Sequence, residues 1–168
     1  MSQKNFFDFN FESLKLFLNK DLSVEEKKIS MRGKQIWQSV YKKGSFEINN
    51  LTTFPLELRT KLKNLISLQR PKIEKTQTSS DGTIKWLIKL FDGNKVECVY
   101  IPEKTRATLC ISSQVGCTLN CRFCHTGTQR LVKNLSFAEI VNQVMIAKEQ
   151  INDWDEKKKI TNIVLMGM

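Results

Sequence analysis

The chain has 168 residues, 40% of them hydrophobic and 26% charged, with a formal net charge of +10. That length allows one ordinary domain or two small ones, and that balance belongs to a soluble globular protein rather than a disordered or fibrous one. The Lys and Arg surplus suits a polyanion such as RNA, bound in a salt-dependent way, although a merely basic surface is the plainer reading of the same number.

No apolar run approaches membrane-spanning length, and Met-Ser-Gln-Lys-Asn-Phe-Phe-Asp does not open a signal peptide. Five cysteines, an odd number, argue against a disulfide scaffold and for a reducing cytoplasm.

From Phe6 to about Arg70 the pattern predicts helices. Phe11, Leu14 and Leu18 recur at helical spacing, and Asp21 to Lys28 reads as a polar connection. A second helix is predicted over Arg32 to Lys42, with Ile36, Trp37, Val40 and Tyr41 on its apolar side and a stop near Gly44. Pro55 suits the first turn of a third helix carrying the stripe Leu58, Leu62 and Leu65. Lys34, Lys42, Lys43, Arg59, Lys61 and Lys63 fall on the solvated face, where they serve either solubility or RNA binding. Residues 1–72 are thus expected to be a small helical domain.

Residues 73–168 change character after Pro71. Ser79-Ser80-Asp81-Gly82 is a turn, and from Thr83 the chain alternates, with Ile84, Trp86, Ile88 and Leu90 on one strand face. Asp92-Gly93 signals a hairpin, and Lys95 to Ile101 reads as the return strand. On it Glu97, Val99 and Ile101 face one way, and Val96, Cys98 and Tyr100 the other. Glu97 is then either an edge carboxylate in water, the commoner case, or a buried group with a raised pKa. Thr108 to Ser112 is a third strand.

A cysteine-rich loop follows. Ser136-Phe137-Ala138-Glu139 is a capping box opening a helix with Ile140, Val141, Val144, Met145 and Ala147 on its buried side. Asp153 to Lys159 is a charged connection, and Ile160 to Met166 reads as a parallel strand covered on both faces. Strand, loop, helix and strand make one βαβ unit, with the cysteines at the carboxyl end of its first strand, where α/β folds bind ligands.

In that loop Cys117, Cys121 and Cys124 form a Cys-x-x-x-Cys-x-x-Cys triplet. Three thiolates on a short loop can hold three irons of a 4Fe-4S cluster and leave the fourth open to a bound molecule. Gly116, Thr118 and Asn120 suit a tight loop whose backbone N–H groups reach sulfur. The competing reading is zinc with a histidine as fourth ligand. The single histidine, His125, adjoins Cys124 and is poorly placed for a shared tetrahedral metal. Cys110 by itself reads as a small buried core residue.

The Cys-x-x-x-Cys-x-Phe-Cys pattern resembles the radical S-adenosylmethionine superfamily. The runs Ser-Asp-Gly-Thr-Ile-Lys-Trp, Tyr-Ile-Pro-Glu, Arg-Ala-Thr-Leu-Cys-Ile-Ser-Ser-Gln-Val-Gly-Cys and Asn-Ile-Val-Leu-Met-Gly-Met resemble, more specifically, the RlmN family. These are methyltransferases acting on carbon 2 of an adenine in 23S ribosomal RNA and in transfer RNA. The resemblance implies an α/β fold: an N-terminal helical domain that binds RNA, a β-hairpin extension, and the beginning of a truncated radical S-adenosylmethionine partial (β/α) barrel.

It also implies a 4Fe-4S cluster on Cys117, Cys121 and Cys124, S-adenosyl-L-methionine bound at the open iron, and an external electron donor. In the family a 5′-deoxyadenosyl radical takes hydrogen from a methyl group carried on a cysteine. The resulting carbon radical joins the adenine, and a second cysteine resolves the join by forming a disulfide. Cys110 matches the resolving cysteine, and Glu97 matches the glutamate that accepts the proton. Cofactor-binding residues are not assigned, because the family's Gly-Glu-Pro segment and its methyl-carrying cysteine are expected beyond Met168. The expectation is therefore the N-terminal part of a monomeric cytoplasmic enzyme, inactive by itself. The alternative is a non-catalytic zinc- or Fe–S-containing RNA-binding protein.

Overall fold

The computed structural model describes residues 3–118 and 126–166. The chain divides into two compact units, Met1–Gln69 and Arg70–Met168.

In the first unit β1 (Lys4–Asn5) leads to helices α1 (Phe11–Lys20), α2 (Glu26–Tyr41) and α3 (Leu56–Leu65), and then to β2 (Ile66–Ser67). The strands β1 and β2 pair in parallel. Asn10 caps α1, its side-chain oxygen accepting the Ser13 N–H at 2.8 Å. Helix α2 begins at Glu26, well before the Arg32 expected, because its first turn is polar and exposed and leaves no apolar periodicity to read. Pro55 stands at the N-cap of α3 rather than inside it. Phe6, Phe7, Leu14, Leu18, Ile36, Val40 and Leu62 fill the core. The rings of Phe6, Phe7, Trp37 and Tyr41 pack at 4.6 to 6.0 Å, and burial pushes the Tyr41 hydroxyl up to about 12.

The expected basic face is thinner than its sequence suggests. Arg59 is half-buried and donates to the Asn49 carbonyl at 3.1 Å, and Lys61 pairs with Glu57 at 2.7 Å. Nor does the net charge concentrate in this unit. It has 12 basic and 7 acidic residues, against 15 and 10 in the second unit.

The second unit is built on a five-stranded sheet among the described residues, in the order β3 (Lys72–Thr78), β4 (Ile84–Lys89), β5 (Lys95–Pro102), β6 (Ala107–Ser112) and, after a loop and a helix, β9 (Asn162–Met166). Strands β3 to β6 run antiparallel, and β9 joins β6 in parallel. Between β6 and β9 come β7 (Gln114–Val115), β8 (Lys133–Asn134) and helix α4 (Phe137–Gln150). The mixed α/β class and the βαβ connection match expectation. The hairpin is in fact part of a four-stranded meander continuous with β9. Strand β3 escapes the sequence pattern because it is a polar edge, Lys-Ile-Glu-Lys-Thr-Gln-Thr, exposed at nearly every position; charge on an edge strand discourages pairing with other chains.

Alternation divides the sheet into two faces. Trp86, Ile88, Val96, Cys98, Leu109 and Ile111 pack with Ile146 and Ala147 of α4 in one buried cluster. Lys85, Leu87, Glu97, Val99, Cys110, Ser112 and Val164 alternate with that cluster and share the opposite face by their ladder register. Strand β9, expected to be covered on both sides, is exposed at each of its five residues. Among the described residues it borders the sheet and its apolar side chains meet no second layer.

Candidate functional site

The site is organised by the end of β6. Buried backbone groups must find partners, and at Ser112 a side chain supplies both. The Ser112 N–H donates to Gln143 Oε1 at 2.8 Å, and Gln143 Nε2 donates to the Ser112 carbonyl at 2.9 Å. Both residues are fully buried. The Ser112 hydroxyl donates to the Glu97 carbonyl at 2.8 Å, tying β5 to the same point.

Beyond Ser112 the chain runs out and back through a narrow neck. β7 pairs antiparallel with β8, and the Leu135 N–H donates to the Ser113 carbonyl at 2.9 Å. The Val132 N–H donates to the Val115 carbonyl at 2.8 Å, and the Cys117 N–H to the Gln129 carbonyl at 3.3 Å. Gly116 makes the closure possible. Its φ is +78°, and a Cβ there would lie 2.1 Å from the Arg130 carbonyl oxygen. No other residue type fits without moving backbone.

The return arm is anchored as well. Lys133 ion-pairs with Asp92 in the β4–β5 turn and with Glu139 at 2.6 Å. Glu139 closes the capping box of α4 with Ser136. The Lys133 hydrogen bond, followed by that from Asn94, holds the Asp92 carboxyl down to about 2, and Asp92 in turn raises Lys133.

Beyond the neck, an open depression of about 410 Å³ is lined by Cys117, Thr118, Gly127, Thr128, Gln129, Arg130 and Leu131, within the size range of ligand sites. Cys117 is half-buried there. Cys121, Cys124 and His125 lie outside the described residues; among the described residues no three His, Cys, Asp or Glu side chains converge.

Glu97 and Cys110 share the face opposite α4. Cys110 stands across from Val99 on β5 and Val164 on β9 and is 8% exposed. Glu97 is half-buried and ion-pairs with Lys85 at 3.1 Å, with more than a third of each side chain in solvent. Of its two readings, the solvent-facing carboxylate is the one observed. Cys98 is sealed in the core, where burial, followed by the nearby Cys110, pushes its thiol up to about 12. The disulfide implied for Cys110 is not formed among the described residues. Its expected partner is no cysteine of this chain, and Cys98, the nearest in register, points to the other face.

Sequence reading missed Gln143, Lys85, Lys133 and the β7–β8 neck. Gln143 did leave a signal: with Asn142 it forms a polar pair inside the apolar run Ile140 to Ala147, and both are buried.

No family model matches the chain. Curated relatives do, along most of its length. A dual-specificity RNA methyltransferase RlmN of Bradyrhizobium sp. (strain BTAi1 / ATCC BAA-1182) is 48% identical over 160 residues, 88% of this chain. The chain is a homologue of the RlmN enzymes. The RlmN of Nitrobacter winogradskyi is 46% identical over 159 residues. This chain spans 40% of the length of these RlmN relatives. A solved structure of a radical SAM methyltransferase from Sphaerobacter thermophilus matches with a TM-score of 0.83 and 32% identity, over 98% of this chain and 46% of that one. The fold class read from the sequence is therefore that of a radical SAM methyltransferase.

Proposed function

We propose that the chain is part of a radical S-adenosylmethionine RNA methyltransferase acting on carbon 2 of an adenine in 23S ribosomal RNA and transfer RNA. The supporting observation is the Gly116 neck, which starts the cysteine loop at the carboxyl end of β6, on a chain 48% identical to an RlmN.

The donor chemistry fits the cofactor. Thiolates are soft ligands suited to iron–sulfur clusters, Cys117 opens onto the depression, and Cys117, Cys121 and Cys124 would hold a 4Fe-4S cluster. When bound, the cluster supplies the electron that cleaves the sulfonium of S-adenosyl-L-methionine. The chain's own residues do the remaining work. Glu97, paired with Lys85 on the face opposite α4, accepts the proton leaving the adenine carbon. Cys110, as thiolate, attacks the sulfur that joins protein to RNA; an S–S bond forms as the sulfur–carbon bond breaks, and the carbon left on the adenine takes a proton. Basic side chains of both units contact RNA phosphates, an external protein supplies electrons, and the setting is the cytoplasm.

Three cysteines are assigned to the metal, Cys110 to resolution, and Cys98 is sealed in the core. None of the five remains to carry a methyl group, so the 168-residue chain by itself transfers none.

The test is anaerobic reconstitution with iron and sulfide, followed by labelled S-adenosyl-L-methionine, reductant and unmethylated ribosomal RNA, with a full-length RlmN as positive control. The expected result is four iron and four sulfide per chain (about, as clusters are counted), lost in Cys117→Ala, Cys121→Ala and Cys124→Ala, with no label on adenine. Stoichiometric zinc without sulfide would replace this reading with the non-catalytic zinc-containing RNA-binding protein.

A further inference from the structure

We infer that Gln143 is a positioning residue for the cysteine loop. Its side-chain amide does for Ser112 what a neighbouring strand would do, and so sets where and in which direction the loop leaves β6. The inference rests on the reading of that loop as the cofactor loop, but its geometry stands without it.

A carboxamide holds an acceptor oxygen and a donor nitrogen side by side in one plane, so it can accept from a backbone N–H and donate to a backbone carbonyl at once. Gln143 does both to the same residue, at 2.8 and 2.9 Å, across 31 positions of sequence. Its Nε2 also donates to the Glu139 carbonyl at 3.3 Å, one turn back on α4, which holds the amide plane in place. Glu139 in turn binds Lys133 on the returning arm. Helix α4 therefore grips both ends of the loop: the outgoing end through Gln143 at Ser112, the returning end through Glu139 at Lys133. The Ser112 hydroxyl extends this grip to the strand carrying Glu97. A glutamine used only to satisfy its own amide would need one partner for each atom; this one closes a ring on the last residue of β6, five positions before Cys117.

The consequence is a loop whose origin is fixed by a helix as well as by the sheet. Removing the amide takes away both bonds that Gln143 makes to the buried Ser112 backbone, which loosens the strand end and the neck together.

Amide hydrogen exchange on the intact chain tests this without any metal. Gln143→Leu removes both hydrogen bonds. Gln143→Glu keeps the acceptor for the Ser112 N–H and loses the donor. Ile146→Val, on the same helix and in the core, controls for general destabilisation. In Gln143→Leu, exchange at Ser112 and at the neck amides of Cys117, Val132 and Leu135 is expected to rise about tenfold or more beyond that in Ile146→Val, with Gln143→Glu between them. The reconstituted Gln143→Leu chain should also lose iron to a chelator about tenfold faster, with an altered low-temperature spectrum of the reduced cluster. Neck exchange no faster than in Ile146→Val overturns the inference. If Gln143→Leu does not fold, Gln143→Glu against wild type decides the same question. A wild-type chain that binds no cluster removes the cofactor reading and leaves the exchange comparison intact.

Discussion

Cys98 and Cys110 occupy adjacent strands one ladder step apart and project from opposite faces of the sheet. Cys98 stands across from Ile111, the residue after Cys110, and is packed against the α4-covered core; Cys110 stands across from Val99 on the other face. Two thiols close in register are thereby given different chemistry.

Their reactivity should differ accordingly. Only a thiolate alkylates readily, and burial holds the Cys98 thiol up to about 12. In the native chain at pH 8, maleimide should modify Cys110 well before Cys98, as read by peptide mapping. Cys98→Ser, which buries an unpaired hydroxyl, should cost about 1–3 kcal/mol in denaturant titrations. Equal labelling of the two thiols contradicts this assignment of faces.

The same burial sets an alkaline limit. The unfolded Cys98 thiol titrates near its ordinary 9.0 and the folded one at about 12. Above pH 9 the unfolded chain has lost a proton that the folded chain keeps. Stability is therefore whole below pH 9 and falls as pH rises toward 12, by at most about 1.4 kcal/mol per pH unit. Tyr41, raised to about 12 by burial, acts in the same direction. Cys98→Val should flatten the decline in thermal midpoints measured from pH 9 to 11; an unchanged slope counts against it.

Gly116→Ala should open the loop. The substitution puts a methyl into the Arg130 carbonyl at a left-handed φ. The conformation alone costs about 1–2 kcal/mol, and the clash adds to it. Reduced iron uptake with the helical signal retained is expected by circular dichroism and metal assay. Wild-type iron content in this variant would show the neck to be irrelevant to the loop.

Lys133→Met removes one cation from two carboxylates. Both pairs are partly solvated, so the loss should be about 1 kcal/mol or less at neutral pH. The sign differs from that for Cys98. The Asp92 carboxyl, ordinarily 3.8, is held to about 2 in the fold, so its stabilisation is present above pH 4 and fades as pH falls toward 2. Acid titrations of wild type and Lys133→Met should converge near pH 2. Curves that stay parallel exclude the ion pair as their cause.

RNA binding should draw on both units, because the net charge is spread over both. Replacing exposed Lys34, Lys42 and Lys43 with Gln should weaken binding and lower the slope of log affinity against log salt by about 0.7–0.9 for each phosphate no longer neutralised. Fluorescence anisotropy with an RNA hairpin measures this; a slope that does not move takes these lysines out of the interface.

The local elements were legible in the linear chain wherever one side of an element is apolar. The alternation from Ile84 to Leu90, the turn at Asp92-Gly93 and the capping box at Ser136 each carry their own short-range physics, and each is found where that physics puts it. The polar first turn of α2 and the polar edge strand β3 were not legible, because nothing about an exposed segment repeats. The cysteine spacing named a loop and a chemistry, but not what holds the loop. That was decided in three dimensions. Gln143 reaches Ser112 across 31 residues, Lys133 reaches Asp92 across 41, and Gly116 meets the backbone of Arg130. Which face Cys98 and Cys110 occupy follows from alternation within each strand, but which face is buried depends on where α4 lies, and only the packing of α4 on the sheet sets that.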